Sequence, residues 1–443
     1  MRRRHQFSAI GLSLIFLIFA LKSAAAIEPC SEAGSGWCLA RRFAGDIPNA
    51  ELGFRFGEPL DVDGDGHADV AAGARFERQG AYMTGYVAVW SGSTGARIRT
   101  WEAETRDGLF GQWTLLVPDI EGDGLADLIT AAPYAVVPGT GRGVLTARSP
   151  KTDREIWKHV GGAEENFGWD LAPAGDQNGD GHSDLFVGAP NTKDSRVYLL
   201  SGKDGTTLRS YAPSKDDSTF GWYVARIDDI SADGVPDLAV GAFLERDAAG
   251  AATGGAYVFS SKTGDQIHHW SGADAGSSLG DIVAAVADVD GDGRGDLAVS
   301  APRTSDATRS RPGKVNTYST ATGKLLRTWL GSQPGELFGR MVIGISDVDG
   351  DGVDDVAVGA PWHKRGDGDR TGRVELRSGK SGEVLYEFFG DGADCWFGWH
   401  IRRAPDPDGR GRPALLIGSL RHPVDGQAGV GVVDLYVLQR PQR

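Results

Sequence analysis

Seven aspartate-bearing stretches at a near-constant spacing constrain this chain more than any other feature. They begin at Asp61, Asp119, Asp176, Asp229, Asp288, Asp347 and Asp406, at intervals of 58, 57, 53, 59, 59 and 59 residues. A fixed period of this length means one structural unit copied and stacked, not a sequence of unrelated domains. Phe-Gly stands ahead of nearly every copy, at Phe56-Gly57, Phe110-Gly111, Phe167-Gly168, Phe220-Gly221, Phe338-Gly339 and Phe397-Gly398, with Leu279-Gly280 in the fifth. A small-residue run follows, clearest at Gly188-Ala189-Pro190 and Gly359-Ala360-Pro361.

Each copy reads as four short strands. In the sixth, Met341 to Ile345 and Val356 to Val358 are apolar enough to be buried on both faces. Arg373 to Arg377 alternates, and Glu383 to Phe389 follows a Gly-rich hairpin turn. No stretch beyond the first 26 residues has a helical period. Four-stranded units at this period predict an all-β fold, a seven-bladed β-propeller. The ends predict how it closes. Cys38 to Gly45 matches Lys324 to Gly331, a fourth strand, while Val432 to Gln439 is a third strand with nothing after it. The N-terminal strand therefore completes the last blade and removes a free edge. The propeller is assigned to residues 38–443.

The nine-residue pattern Asp-x-Asp-x-Asp-Gly-x-x-Asp carries the chemistry. Alternate side chains of a tight loop can turn carboxylates toward one centre, and a hard cation such as calcium takes 6–8 oxygen ligands. Blades one, five and six hold the full acid set: Asp61, Asp63, Asp65 and Asp69; Asp288, Asp290, Asp292 and Asp296; Asp347, Asp349, Asp351 and Asp355. Blade two has Asp119, Glu121, Asp123 and Asp127, and blade three Asp176, Asn178, Asp180 and Asp184. Blade four, with Asp229, Ser231, Asp233 and Asp237, lacks one charge and is expected to bind more weakly. Blade seven keeps Asp406 and Asp408 but has Arg410 and Ala414 at positions five and nine, so no ion is expected there and the Arg410 guanidinium is expected in its place. Up to six structural Ca²⁺ ions follow.

The net charge of −14 argues against nucleic acid or anionic lipid as a partner. Residues 1–26 combine Arg2, Arg3 and Arg4, an apolar run from Ala9 to Leu21 and Ala24-Ala25-Ala26, the layout of a secretory signal peptide. The run is shorter than the ~20 residues that span a bilayer. The expectation is a secreted, extracellular or cell-surface protein (periplasmic in a bacterium), with no membrane span after cleavage and monomeric. Export permits a disulfide. Cys30 and Cys38 are close enough in sequence to clip segment 27–37 beside the closing strand, leaving Cys395 free.

Phe-Gly, an aspartate loop and Gly-Ala-Pro in that order resemble the FG-GAP repeat, seven of which form the propeller head of integrin α subunits. The resemblance implies calcium loops on one face and partner binding on the other. This chain shows no inserted ligand-binding domain, legs or phospholipase domain, so it is similar to the propeller alone.

The loops joining second and third strands should lie on the face away from the aspartates. They carry Arg75, Arg78, Tyr82, Tyr134, Phe243, Arg303, Trp362, His363 and Arg365. The positions after Phe-Gly read Glu58, Gln112, Trp169, Trp222, Asp281, Arg340 and Trp399. Tyr82, Tyr134, Trp362 and Arg365, with Trp169, Trp222 and Trp399 at the axis, are the candidate contacts for a protein or glycan, although packing between blades is the competing role for the tryptophans. Arg365-Gly366-Asp367 is an adhesion-type tripeptide, but Arg294-Gly295-Asp296 repeats it inside an aspartate loop. The rival class is a secreted polysaccharide-acting enzyme, or a lectin-like accessory, using the propeller mouth. His268-His269 is not near any nucleophile motif, and no hydrolase or phosphate-loop motif is present.

Overall fold

The computed structural model describes residues 36–439 except 76–77, 80–81, 84, 104–107, 191–193, 215–218, 306–309 and 367, with only the backbone of 78–79 and 82–83. The expected signal peptide, Cys30, the Tyr82 side chain and Asp367 thus lie outside the described residues. Seven antiparallel blade sheets succeed one another in chain order, with a two-stranded ribbon of Arg78–Gln79 and Tyr82–Met83 beside the first, and no described residue is helical.

Blade two comprises Trp113–Val117, Asp127–Val137, Gly141–Arg148 and Glu155–Val160. Blade three comprises Asp170–Gly175, Asp184–Ala189, Arg196–Leu200 and Thr207–Tyr211. Blades four to six repeat this order from Tyr223–Ile227, Val283–Val286 and Met341–Ile345. Second strands such as Asp184–Ala189 and Asp355–Ala360 are buried at every position, because they face a neighbouring blade on each side. Most outer strands bury one aromatic, as at Trp101, Trp329 and Phe388. Burying such a side chain is worth on the order of 2–3 kcal/mol.

Closure follows the expected route. Gly36–Ala44 pairs with Val432–Gln439 in the sheet of Phe397–Ala404 and Ala414–Ser419. Phe43 is buried where the other blades bury their outer aromatic. Arg42, on the closing strand, forks onto Asp434 at 2.7 and 2.8 Å, and reaches Asp391 at 3.0 Å. His422 contacts the other oxygen of Asp391 at 2.9 Å.

The Phe-Gly and Gly-Ala-Pro elements are two sides of one contact. Gly168 has φ 84° and its amide donates to the carbonyl of Gly188 at 3.1 Å. A Cβ on Gly188 would run into the carbonyl oxygen of Gly221 in the next blade. Gly168 therefore closes the inner edge of its own blade, and Gly188 lets that blade's backbone meet the next one.

Blade one departs from the sequence reading. Gly53, with φ 90°, makes the bond to Gly73 at 3.1 Å that Gly168 makes to Gly188. Leu52-Gly53, not Phe56-Gly57, is its Phe-Gly equivalent, and Gly57 is not left-handed. The residue after the glycine is then Phe54. Glu58 lies further down the segment, 3.7 Å from Arg403. The sheet of this blade is three-stranded, Val70–Ala74, Tyr86–Trp90 and Arg97–Glu102, with a single Leu60–Asp69 bridge in place of an inner ladder.

Two residues past each of these glycines stand Arg55, Trp113, Asp170, Tyr223, Ile282, Met341 and His400, all buried. They meet across the axis. The Arg55 guanidinium lies 5.4 Å from the Trp113 ring and 5.0 Å from that of Tyr223, and Trp113 meets His400 edge-on at 5.6 Å. Large side chains from non-adjacent blades fill the axis.

Candidate metal loops and the opposite face

Each aspartate loop of blades two to seven joins a first strand to a second, that of blade one is closed by the Leu60–Asp69 bridge, and one hydrogen-bond scheme recurs. The amide at position four donates to the first aspartate, as Gly64 to Asp61 at 2.7 Å and Gly350 to Asp347 at 2.6 Å. The glycine amide at position six donates to its other oxygen, as Gly66 and Gly352 do at 2.9 Å. The final aspartate accepts from the amide at position two, as Asp69 from Val62 and Asp355 from Val348, both at 2.8 Å. Its second oxygen accepts from the turn between strands three and four, from Gly92 at 2.8 Å and from Gly379 at 3.0 Å. One carboxylate thus ties the loop to the second hairpin of its blade.

Burial pushes Asp69, Asp127, Asp296 and Asp355 up to about 6, and neighbouring loop carboxylates add to the effect against their amide donors. Asp184 and Asp237 move the same way, for the same first cause. At the first position the balance reverses in blades two, three and six. Amide donors hold Asp176 below the usual range, and for Asp119 and Asp347 they outweigh burial.

Four loops gather three carboxylates whose ligand atoms lie within 4.8 Å of one another: Asp61, Asp63 and Asp69; Asp229, Asp233 and Asp237; Asp288, Asp290 and Asp296; Asp347, Asp349 and Asp351. An all-oxygen set this tight suits a hard divalent cation. The loops of blades two and three differ. Arg154 holds Glu121, its Nε 3.0 Å from Oε2. Asn178 contacts Asp180 at 3.2 Å. Serines of the second hairpin reach the fifth position in three blades: Ser260 donates to Asp233 at 2.7 Å, Ser378 to Asp351 at 3.2 Å, and Ser93 to Asp65.

In blade seven a guanidinium occupies the loop, but it belongs to Arg412 and not to Arg410. Arg412 Nε and Nη2 bind the two oxygens of Asp406 at 2.8 and 2.7 Å, and Nη2 also reaches Asp408 at 2.7 Å. Arg410 contributes only its backbone amide, 3.1 Å from Asp406.

At the other end of the blades, aromatic rings run between second-to-third-strand loops and the inner strands. Tyr134 meets Trp169 at 6.0 Å, Trp169 meets Trp222 at 4.7 Å and Trp222 meets Phe243 at 4.3 Å. A second series joins Trp362, Trp396, Trp399 and Phe54 at 5.9, 5.4 and 5.9 Å. Arginines cap these rings: Arg142 on Tyr134, Arg303 on Phe243, Arg340 on Trp399 and Arg75 on Phe54, at 4.5, 5.7, 4.2 and 3.6 Å. Arg365 stands apart from both series, 5.2 Å from Phe389. His363 is buried against Glu336 at 2.6 Å, and His269 contacts Glu245 at 2.9 Å.

The FG-GAP repeat family matches residues 59–90, 167–200, 280–315 and 341–374, which fall in blades one, three, five and six. Four of the seven units are FG-GAP repeats. The chain is similar to integrin alpha pat-2 of Caenorhabditis briggsae, 32% identical over 43% of this chain and 18% of that protein. To integrin alpha-5 of Xenopus laevis it is 30% identical, over 50% of this chain and 22% of the other. To integrin alpha-V of Gallus gallus the figures are 28%, 51% and 22%. The aligned part spans about a fifth of these relatives. A crystal structure of BBS1N in complex with ARL6DN, soaked with mercury, superposes with a TM-score of 0.55 at 12% identity, over 92% of this chain and 99% of that one. That likeness concerns the fold alone.

The FG-GAP signal was legible wherever it is continuous in sequence. The Leu52-Gly53 copy was missed because a complete Phe-Gly lies four residues further on. Arg412 was missed because its side chain folds back from position seven, where a backbone carbonyl was expected. The Arg154–Glu121 pair joins residues 33 apart, and only the β-sheet brings them together.

Proposed function

We propose that this FG-GAP chain is a secreted, calcium-stabilised propeller that works as an extracellular recognition or adhesion module. The aspartate loops hold Ca²⁺ ions as structural staples on one face, and a protein or glycan partner binds the other. The observation that carries this reading is the division of chemistry between the two ends of the blades. One end collects convergent carboxylates tied into the hairpins. The other presents half-buried Trp362, Trp396, Trp399 and Trp169 with arginines against rings, the composition of a binding hot spot. Similarity to integrin α subunits supports adhesion as the class.

In this reading the first, third, fifth and ninth positions supply side-chain oxygen, and the cation neutralises carboxylates that burial and mutual repulsion otherwise push up. Blades one, five and six bind most strongly, and blade four less. In blade two the ion competes with Arg154 for Glu121.

Two measurements test it. Equilibrium dialysis with ⁴⁵Ca²⁺ on the purified chain should find several sites, and no saturable binding at millimolar calcium would sink the metal half. A glycan array and a pull-down against extracellular proteins, repeated with Trp362→Ala, should give a partner whose binding the substitution weakens. Turnover of a polysaccharide would replace recognition with catalysis.

A further inference from the structure

The axis beneath the aromatic series carries buried donors without acceptors. Arg55 is 5% exposed, and neither its Nε nor its Nη1 has a hydrogen-bond partner. The indole Nε1 of Trp399, whose ring packs against Phe54, is in the same condition. Leaving a buried guanidinium nitrogen unpaired is costly, so a cluster of such donors at one mouth marks where an acceptor fits.

Positive charge converges on the same place. Arg340 lies against the Trp399 ring, and its ion pair with Asp281 is loose at 3.7 Å. Arg75 lies against Phe54, the neighbour of Arg55 in sequence and of Trp399 in space. Arg402 reaches the same layer through the Tyr223 hydroxyl at 3.4 Å. The acids facing the cluster are Asp281, Glu51 and Asp170, and Asp170 already accepts from Trp113 and from the Val224 amide. Burial and the neighbouring arginines hold Arg340 down at about 10 against an opposing pull from Asp281, and Arg75 at about 9 against one from Glu51. This concentration of cations sits in a chain of net charge −14.

We infer that the mouth of the axis, on the face away from the aspartate loops, is a receptor for a carboxylate, brought by an acidic side chain of a protein partner. Arg340 and Arg75 meet the carboxylate first, Arg55 lies beneath them, and Trp399 supplies an indole donor and an apolar flank. Guanidinium forks match a carboxylate in two bonds, and partial desolvation strengthens them. Aromatic flanks are what a peptide side chain buries against. The inference rests on the recognition reading above and narrows it to an acidic protein ligand.

The test uses the purified chain with no natural partner, so it stands or fails separately from any search for one. Hexaglutamate, hexaglutamine, glutarate and inorganic phosphate are titrated at physiological salt and followed by tryptophan fluorescence. Hexaglutamate should give a saturable change and hexaglutamine none. Arg340→Gln and Arg75→Gln should each weaken hexaglutamate about tenfold, with Arg340→Lys between them and wild type. Circular dichroism and the melting midpoint show whether each variant is folded. If Arg340→Gln unfolds, Arg75→Gln and Arg340→Lys decide. No change with hexaglutamate, or undiminished affinity in the folded variants, overturns the inference. Binding of phosphate or glutarate without hexaglutamate overturns it too, since the site would then take a small free anion.

Discussion

Arg412 grips Asp406 through two nitrogens, Nε on one carboxylate oxygen and Nη2 on the other, in the single blade whose loop lost the fifth and ninth acids. A side-chain cation there does what a bound metal is proposed to do in the other six.

Asp406 is held down at about 2, because the Arg412 guanidinium and backbone amides outweigh the upward push of burial. A depressed folded value stabilises above the unfolded carboxylate value of ~4 and is lost as pH falls toward 2. Arg412→Ala is expected to cost roughly 1 kcal/mol at pH 7 after solvent screening. The difference from wild type should shrink between pH 4 and 2 in urea titrations, and a constant difference across that range would refute the pairing.

Chelation should lower the melting midpoint, and millimolar calcium should raise it. Each site held at a hundredfold excess over its dissociation constant adds about 2.7 kcal/mol. Asp288→Ala should remove one ion from the stoichiometry, because it takes away a member of a gathered triad. Asp406→Ala should leave the stoichiometry unchanged. Isothermal titration calorimetry separates the two.

Gly188→Ala places a methyl group against the carbonyl oxygen of Gly221 in the next blade. Overpacking between backbones is expected to cost roughly 1–3 kcal/mol. Chemical denaturation at fixed calcium measures it, and an unchanged midpoint would show that the blades can separate at no cost.

Arg42→Ala leaves Asp434, which is 1% exposed, without its cation. Removing one partner of a buried pair costs roughly 3 kcal/mol. The closing strand should loosen first, so hydrogen exchange of Gly36–Ala44 and Val432–Gln439 should speed up more than that of blade three. Equal acceleration everywhere would contradict a local latch.

The blade period and the strands Met341–Ile345 and Val432–Gln439 were read from the chain without error, because their apolar patterns and turn glycines are local. The same locality misled at Phe56-Gly57, where a matching dipeptide stands out of register with its blade.

The sequence by itself determined that this protein is a ring of seven copies with acidic loops at one end of each. That information is periodic, and periodicity survives without coordinates. Tertiary structure decided which of the two glycines, Gly53 or Gly57, makes the left-handed turn that bonds to Gly73. It decided that Arg412 fills the seventh loop and that Arg154 intrudes on the second. It also decided that Arg55, Arg75 and Arg340 meet at the axis, although Arg340 stands 285 positions beyond Arg55. Closing the ring sets residues from distant blades side by side, and no local pattern records which of them will meet.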